Sequence, residues 1–577
     1  MAEITNKNFY GYIKKTYSKF TIDSKKKSLR DICFPQKYEF QIPQKFLAEF
    51  INPDTPYKGL LVYHRIGAGK TCTAINIAEN FKGKTNILVV LPASLKGNFR
   101  SELRSQCAGQ SYLSNADRDK LSSLDPTDPA YKAIIAKSDA KIDKVYRILS
   151  YNKFVELLKA DAINFNNTLL IIDEIHNMVS ETGSYYEELY DAIQSAPSTL
   201  RLVLMSATPI FDKPGEIALT MNLLIRDPKL QLPTGKDFSK KFIKQKVRSD
   251  GGLDLEIKNK DLFKKSIKGY ISYYRGAPPH VFPKVEYKLV KVTMSDHQYE
   301  TYAAIEKAEY EKYNKNSLDY LDSNISNSFY IGTRMASNIV YPNGQIGEEG
   351  YESLTDDDLS MLSMRTFSPK FAKILRAINK CEGTVFVYSN FKEYGGIRAF
   401  ARFLEHQRYK NYEFNGVGRK RYAIWSGDTS ADLKDEIKAI FNRKENQDGS
   451  KIKVVLGSSA IKEGVSFLRV QEVHIMEPYW NFSRLDQVMG RAIRFCSHKD
   501  VELEKRLVKV FVYVAVYPPL SKETKKSISP VSVDARIMEI ALSKRYINGE
   551  FELAMKEAAI DCNLFKNANE PNIVCET

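Results

Sequence analysis

Gly67-Ala68-Gly69-Lys70-Thr71 is a glycine-rich turn placed after the apolar run Gly59 to Tyr63. Beyond it Ala74, Ile77, Ala78 and Phe81 fall at i, i+3, i+4 and i+7, the period of an amphipathic helix. Such a turn between a buried strand and a helix directs backbone N–H groups into one concavity, and the helix N-terminus adds partial positive charge, so phosphate fits there. Lys70 is then placed to reach β- and γ-phosphates, and the Thr71 hydroxyl to ligate Mg²⁺. The motif's usual first glycine is here His64. Taken alone, a glycine turn before an ordinary helix reads the same way.

A second motif narrows the choice. In NTLLIIDEIHN, from Asn167, an apolar run delivers Asp173 and Glu174 at the C-terminal end of a strand, where open α/β sheets bind ligands. Asp173 suits Mg²⁺ held through water, and Glu174 suits polarising an attacking water. Adjacent carboxylates also occur as a solvated turn, but with Lys70 upstream the pair reads as nucleotide hydrolysis. In RLDQVMGRAIRFCSH, from Arg484, a helix would bring Gln487, Arg491 and Arg494 onto one face, where two arginines stabilise phosphoryl-transfer charge. A basic solvated face is the alternative; apolar Val488, Met489 and Ile493 around Gly490 count against it.

The elements that must hold these residues are short buried strands alternating with helical patterns, which predicts an α/β fold with parallel sheets. One series covers Gly59 to Tyr63, Ile87 to Leu91, Tyr146 to Leu149, Leu169 to Ile172 and Leu202 to Met205; a second begins at Thr384 and ends with VFVYVAVY, Val510 to Tyr517. The expected division is a first lobe at 1–225, a linker with helical insertions at 226–366, a second lobe at 367–520 and a helical tail at 521–577. In the tail Ile537, Ile540, Ala541 and Lys544 share a helical face, read either as a docking face for a partner or as packing against the second lobe.

Composition bounds the rest. In 577 residues, 86 Lys and Arg stand against 70 Asp and Glu, a net charge of +16 that favours a polyanionic partner. The seven cysteines are scattered without metal-site or redox-pair spacing, and are expected as reduced thiols of an intracellular protein. The first twenty residues lack the apolar core of a signal peptide, and no apolar run approaches the ~20 residues that cross a bilayer. A soluble protein with no membrane partner is expected.

In order, IPQKFLAEF, GAGKT, LVVLPASLKGNF, YRILSYNKF, DEIH, MSATPIFDKP, VFVYSNF, GSSAIKEGVSF and QVMGRAIR resemble the successive motifs of superfamily 2 helicase-like ATPases, across Ile42 to Arg494. PASLKGNF and SYNKF lean toward the Swi/Snf-type branch. GYISYYRGAPPHVFP, RMASNIVYP, GRAIRFCSH and AAIDCNLF are similar to proteins of large cytoplasmic DNA viruses, the type of poxvirus nucleoside triphosphate phosphohydrolase I and the early transcription factor ATPase subunit.

The resemblance implies two RecA-like lobes using ATP and Mg²⁺. Gln44 would read adenine; Gly67, Ala68, Gly69, Lys70, Thr71, Asp173 and Glu174 would handle phosphate and metal, with Gln487, Arg491 and Arg494 from the second lobe. His176, Ser206, Ala207 and Thr208 would couple hydrolysis to movement. Ser94, Asn98, Ser389, Asn390 and Ser459 would contact the nucleic-acid backbone without reading bases. The implied activity is a DNA-translocating ATPase of viral transcription, with RNA as an alternative ligand and a viral RNA polymerase or its associated factor as partner. It would work in the viral factory of the host cytoplasm, with packaging in the virion. The rivals are an unwinding helicase and a transcription initiation factor or virion scaffold that uses ATP as a switch.

Overall fold

The computed structural model describes residues 7–23, 27–65, 67–124, 128–180, 183–248, 253–313, 330–461, 465–519 and 529–577. The chain forms two units, Met1–Pro279 with Tyr546–Thr577, and His280–Arg545. In the first, β1 (Gly59–His64), β2 (Asn86–Leu91), β3 (Tyr146–Ser150), β4 (Thr168–Ile172), β5 (Arg201–Ser206) and β8 (Ile271–Tyr274) make one sheet in the order β3-β2-β4-β5-β1-β8. Between the last two, β6 (Ile243–Val247) and β7 (Leu253–Ile257) pair with each other, antiparallel. Every pairing in the six-stranded sheet is parallel. Parallel neighbours need crossovers that cover both faces, which is why Leu60, Leu61 and Val62 and the run Leu169 to Ile172 are apolar throughout and fully buried. It also places the C-terminal ends of β1, β4 and β5 along one sheet edge.

The second unit repeats the principle with β9 (Lys284–Thr293), β10 (Thr384–Tyr388), β11 (Lys410–Asn411), β12 (Arg421–Trp425), β13 (Val454–Gly457), β14 (Val470–Ile475) and β15 (Leu507–Val516), ordered β11-β12-β13-β10-β14-β15-β9 and parallel throughout.

Three expectations are corrected. The region 226–366 is not a linker: β8 and β9, one in each unit, are edge strands of the two sheets. β9 pairs with β15 over its full length, yet most of its side chains are exposed, so its lysines and glutamate read as surface. The segment from 521 is not a separate tail. Helix Val533–Glu557 packs Ile537, Ile540 and Ala541 into the second unit's core, and Lys544 is buried too, so that face is occupied by the fold rather than offered to a partner. Nor are all the cysteines reduced: Cys72 pairs with Cys107 and Cys562 with Cys575, at sequence separations of 35 and 13 that no short-spacing rule detects. Among the described residues no helix is long and apolar enough to cross a membrane.

Candidate functional site

The phosphate loop runs from the end of β1 to helix Lys70–Glu79. Gly67 and Gly69 hold φ of 85° and 66°, so the conformation favours glycine at both, and a Cβ at Gly69 would also stand 2.6 Å from Gln44 Nε2 and push that side chain aside. The N-cap position is Gly69, which has no side chain to cap the helix, so the N-terminal dipole is left for a ligand. Buried Gln44, on helix Ile42–Phe50, accepts the Gln41 N–H at 2.8 Å and donates to Gly69 O at 3.2 Å; Gln41 Nε2 donates to Gly67 O at 3.2 Å. The residue expected to read adenine thus also braces the loop.

Lys70 Nζ meets Glu174 Oε1 at 2.8 Å. Burial opposes the ammonium's charge, but Glu174 and Asp173 outweigh it and hold Lys70 above its ordinary range. Thr71 and Asp173 are half-buried. Glu174 occupies the left-handed region at φ 50°, which costs a residue with a Cβ on the order of 1 kcal/mol. The Tyr151 hydroxyl, donating to the carbonyls of Asp173 and Glu174, holds the backbone in that conformation.

His176 Nδ1 lies 3.4 Å from Glu174 Oε2 and 3.0 Å from Ser206 Oγ, which also accepts the Thr208 N–H at 3.0 Å. Burial pushes His176 down to about 4 despite Glu174, so the ring is neutral and the contact is polar rather than ionic. The ring stacks on Phe211, centroids 5.4 Å apart, and Glu216 accepts the Phe211 N–H at 2.7 Å. Ala207, between Ser206 and Thr208, is half-buried. Polar contacts therefore run from Lys70 to Thr208 across the ends of β1, β4 and β5. Left-handed glycines at an uncapped helix, with one ammonium, one hydroxyl and two carboxylates, are a donor set that fits a nucleoside triphosphate and a divalent cation.

In the second unit, helix Phe482–Met489 carries Gln487 and then stops. Gly490 N–H bonds to Asp486 O and Arg491 N–H to Val488 O, so glycine, a poor helix former, lets the chain leave in turns and the expected continuous helical face through Arg491 and Arg494 does not form. The two arginines still converge: Arg491 Nη1 and Arg494 Nη2 lie 3.5 Å and 3.2 Å from the same carbonyl, that of Val465.

The five expected nucleic-acid contacts divide. Ser94 and Asn98 are exposed, and Asn390 and Ser459 are half-buried. Ser389 is fully buried, and its hydroxyl donates to both carboxylate oxygens of Glu477, so its side chain belongs to the core and is not presented to a ligand. Glu477 also accepts the Asn390 N–H and, at 2.9 Å, Asn338 Nδ2, while Arg484 Nη2 donates to Asn390 Oδ1 at 3.2 Å. Gln41, Tyr151, Glu477 and Arg484 were missed as positioning groups. Tyr151 and Arg484 lie inside recognised motifs, but nothing in the spacing says which backbone groups they hold.

Residues 32–211 match the family of the type III restriction enzyme res subunit, and residues 369–496 match the helicase conserved C-terminal domain. A protein of Acanthamoeba polyphaga mimivirus named as an ATP-dependent RNA helicase is 62% identical over 579 residues, spanning 100% of this chain and 99% of the relative. This chain belongs to the superfamily 2 helicase-type ATPases of large DNA viruses. A relative from African swine fever virus, named as a homologue of the termination factor NPH-I, is 28% identical over 577 residues, 88% of this chain and 76% of its own. A solved SWI2/SNF2 ATPase core from Sulfolobus solfataricus, in complex with double-stranded DNA, aligns with 86% of this chain and 90% of its own at 15% identity and a TM-score of 0.29. At that score the strand order, and not the overlay, carries the fold. The viral helicase-type ATPase hydrolyses ATP and binds nucleic acid.

Proposed function

We propose that this ATPase is stimulated by nucleic acid, steps along a DNA strand and serves viral transcription, from elongation to transcript release. The observation that carries the hydrolytic part is the 2.8 Å pair between Lys70 and Glu174 beside an uncapped helix. A triphosphate draws Lys70 to its β- and γ-phosphates, freeing Glu174 to orient the attacking water. Thr71 and Asp173 would hold Mg²⁺, which would supply charge neutralisation. Gln44 contacts adenine, Gln487, Arg491 and Arg494 act on the transition-state charge, and His176 with Ser206 to Thr208 couples the site to movement.

Ser94, Asn98, Asn390 and Ser459 grip the strand through its backbone. With the +16 charge this favours binding that weakens steeply with salt and varies little with sequence. The name of the African swine fever virus relative supports a role at termination. A viral RNA polymerase or its associated factor is the partner, docked on a surface other than the buried Ile537 face, and the site of action is the host cytoplasm and the virion.

The test is the ATPase rate without nucleic acid and with single-stranded DNA, duplex DNA and RNA, paired with release of stalled transcripts. Stimulation by DNA with transcript release is expected; a rate indifferent to nucleic acid overturns the proposal. The mimivirus relative's name favours a second reading, an RNA helicase, which RNA-specific stimulation and strand displacement would establish.

A further inference from the structure

Hydrolysis leaves the motif Ala558 to Phe565 without a role, yet the fold brings it beside the strand next to β1. Ile560 N–H donates to Ile271 O at 2.8 Å, and Leu564 and Phe565 join the first unit's core. Between them Asp561, fully buried, receives two donors: the Tyr273 N–H reaches Oδ1 at 2.9 Å, and the Ser272 hydroxyl donates to Oδ2. Ser272 is equally buried, and its oxygen lies 3.0 Å from His64 Nε2. His64 ends β1, where the phosphate loop departs.

Ser272 has a single proton. Given to the carboxylate, it leaves the hydroxyl oxygen only as an acceptor toward His64, so His64 must be the Nε2–H tautomer. The ring is neutral: burial first, and Lys70 after it, push it down to about 3. Its other nitrogen, Nδ1, is buried and has no hydrogen-bond partner among the described residues. Nδ1 is the ring nitrogen nearer the main chain, so this bare acceptor lies beside the backbone from which the phosphate loop leaves.

We infer that Asp561, Ser272 and His64 are positioning residues for the phosphate loop: the carboxylate from the C-terminal segment fixes the ring and tautomer of His64, keeping Nδ1 as an acceptor for a loop donor when nucleotide binds. The inference rests on the reading of the loop as an ATP site, and adds that the site is incomplete without a residue almost five hundred positions downstream. It explains a histidine in place of glycine at position 64: the imidazole is a fixed part of the wall at the loop's start. It gives the C-terminal motif a place in nucleotide binding, distinct from partner docking.

The substitution Asp561→Asn makes the geometry decide. The Tyr273 N–H demands an acceptor, so the amide oxygen must take the Oδ1 position and the NH₂ must face Ser272. Ser272 then accepts from the amide and donates its proton to Nε2, and His64 becomes the Nδ1–H tautomer. The full-length protein, labelled with ¹⁵N-histidine, is read by long-range proton–nitrogen NMR, the His64 signal being identified by its loss in His64→Gln. Spectra are taken above the value of about 7 to which burial pushes the Asp561 carboxyl. Nε2–H is expected in the unmodified protein and Nδ1–H in Asp561→Asn. An Nδ1–H signal in the unmodified protein overturns the relay by itself, even if the variant fails to fold, and so does an unchanged tautomer in the variant.

Titration with a fluorescent ATP analogue tests the consequence. Asp561→Asn, which keeps every buried partner, should bind it about tenfold more weakly at nearly unchanged melting temperature, the effect of one misdirected buried hydrogen bond. Ser272→Ala, which also strands Asp561 Oδ2 and His64 Nε2, should bind as weakly and melt lower. Ser272→Thr, which keeps the hydroxyl, should bind like the unmodified protein. Equal affinity in all four proteins overturns the positioning role. The tautomer measurement needs no hydrolysis, so its outcome is separate from that of the ATPase assay.

Discussion

Two polar sites, one in each unit, are built in opposite ways. At the edge of the first sheet, charged groups pair with each other in a contact that a ligand can exchange: Lys70 and Glu174 are half-buried and joined at 2.8 Å. Beneath β10 in the second unit, Glu477 is fully engaged by Ser389, Asn390 and Asn338, and the Arg334 guanidinium nearby is fully buried against Phe391, with its centre 5.3 Å from the ring centroid. The Lys370–Asp534 pair, 2.6 Å apart, belongs to the same network, since Lys370 also donates to Asn338. The first set is chemistry held in reserve; the second is shape. Burial separates the two, because a carboxylate whose acceptor sites are filled by neighbours has none left for a ligand.

That contrast is open to direct attack. The largest expected effects are on turnover, at the residues proposed to act on the triphosphate. Arg494→Ala should lower turnover by about 10³-fold or more with a much smaller change in nucleotide affinity, as measured by steady-state kinetics and binding titration. Equal losses in both would make Arg494 structural, in keeping with its bond to Val465 O. Lys70→Ala should cost about 10²–10³ in turnover, and a folded variant with normal turnover would break the site assignment.

The fixed group should answer in stability instead. Glu477→Ala strands the donors of Ser389, Asn390 and Asn338 and should destabilise the protein by about 3–5 kcal/mol in thermal or denaturant unfolding. If melting is unchanged and only nucleic-acid binding falls, Glu477 belongs with the ligand-facing residues and the contrast fails. Smaller again is the Cys562–Cys575 bridge. Its short loop predicts a loss of about 3 kcal/mol or less for Cys575→Ser, seen as a lower melting temperature under oxidising conditions and no difference under reducing ones.

What the sequence made visible follows the same physics. Strands buried on both faces, such as Leu169 to Ile172, announce themselves as apolar runs, and the residues at their ends inherit their position from the parallel sheet. β9 did not: KVEYKLVKVT lies at an edge with most side chains in solvent, so charge hid a ten-residue strand. The face of Ile537, Ile540 and Ala541 was legible as a helix, but a helical stripe looks the same whether it meets a core or a partner. For Arg491 and Arg494 the residues were readable and the geometry was not, because Gly490 ends the helix that spacing would have continued. Ser389 shows the converse, a motif serine whose neighbour Glu477 is distant in sequence and claims its hydroxyl.

The most direct test of the exchangeable pair is Glu174→Gln in the ATPase and nucleotide-binding assays together. Removing the carboxylate frees Lys70 from its partner and removes the group that orients water, while leaving the loop intact. ATP should bind as tightly as before or more tightly, and turnover should collapse. Weaker binding with turnover retained would contradict the account, because Glu174 would then be holding the loop in shape, as Glu477 holds its own, and the hydrolytic carboxylate would lie elsewhere.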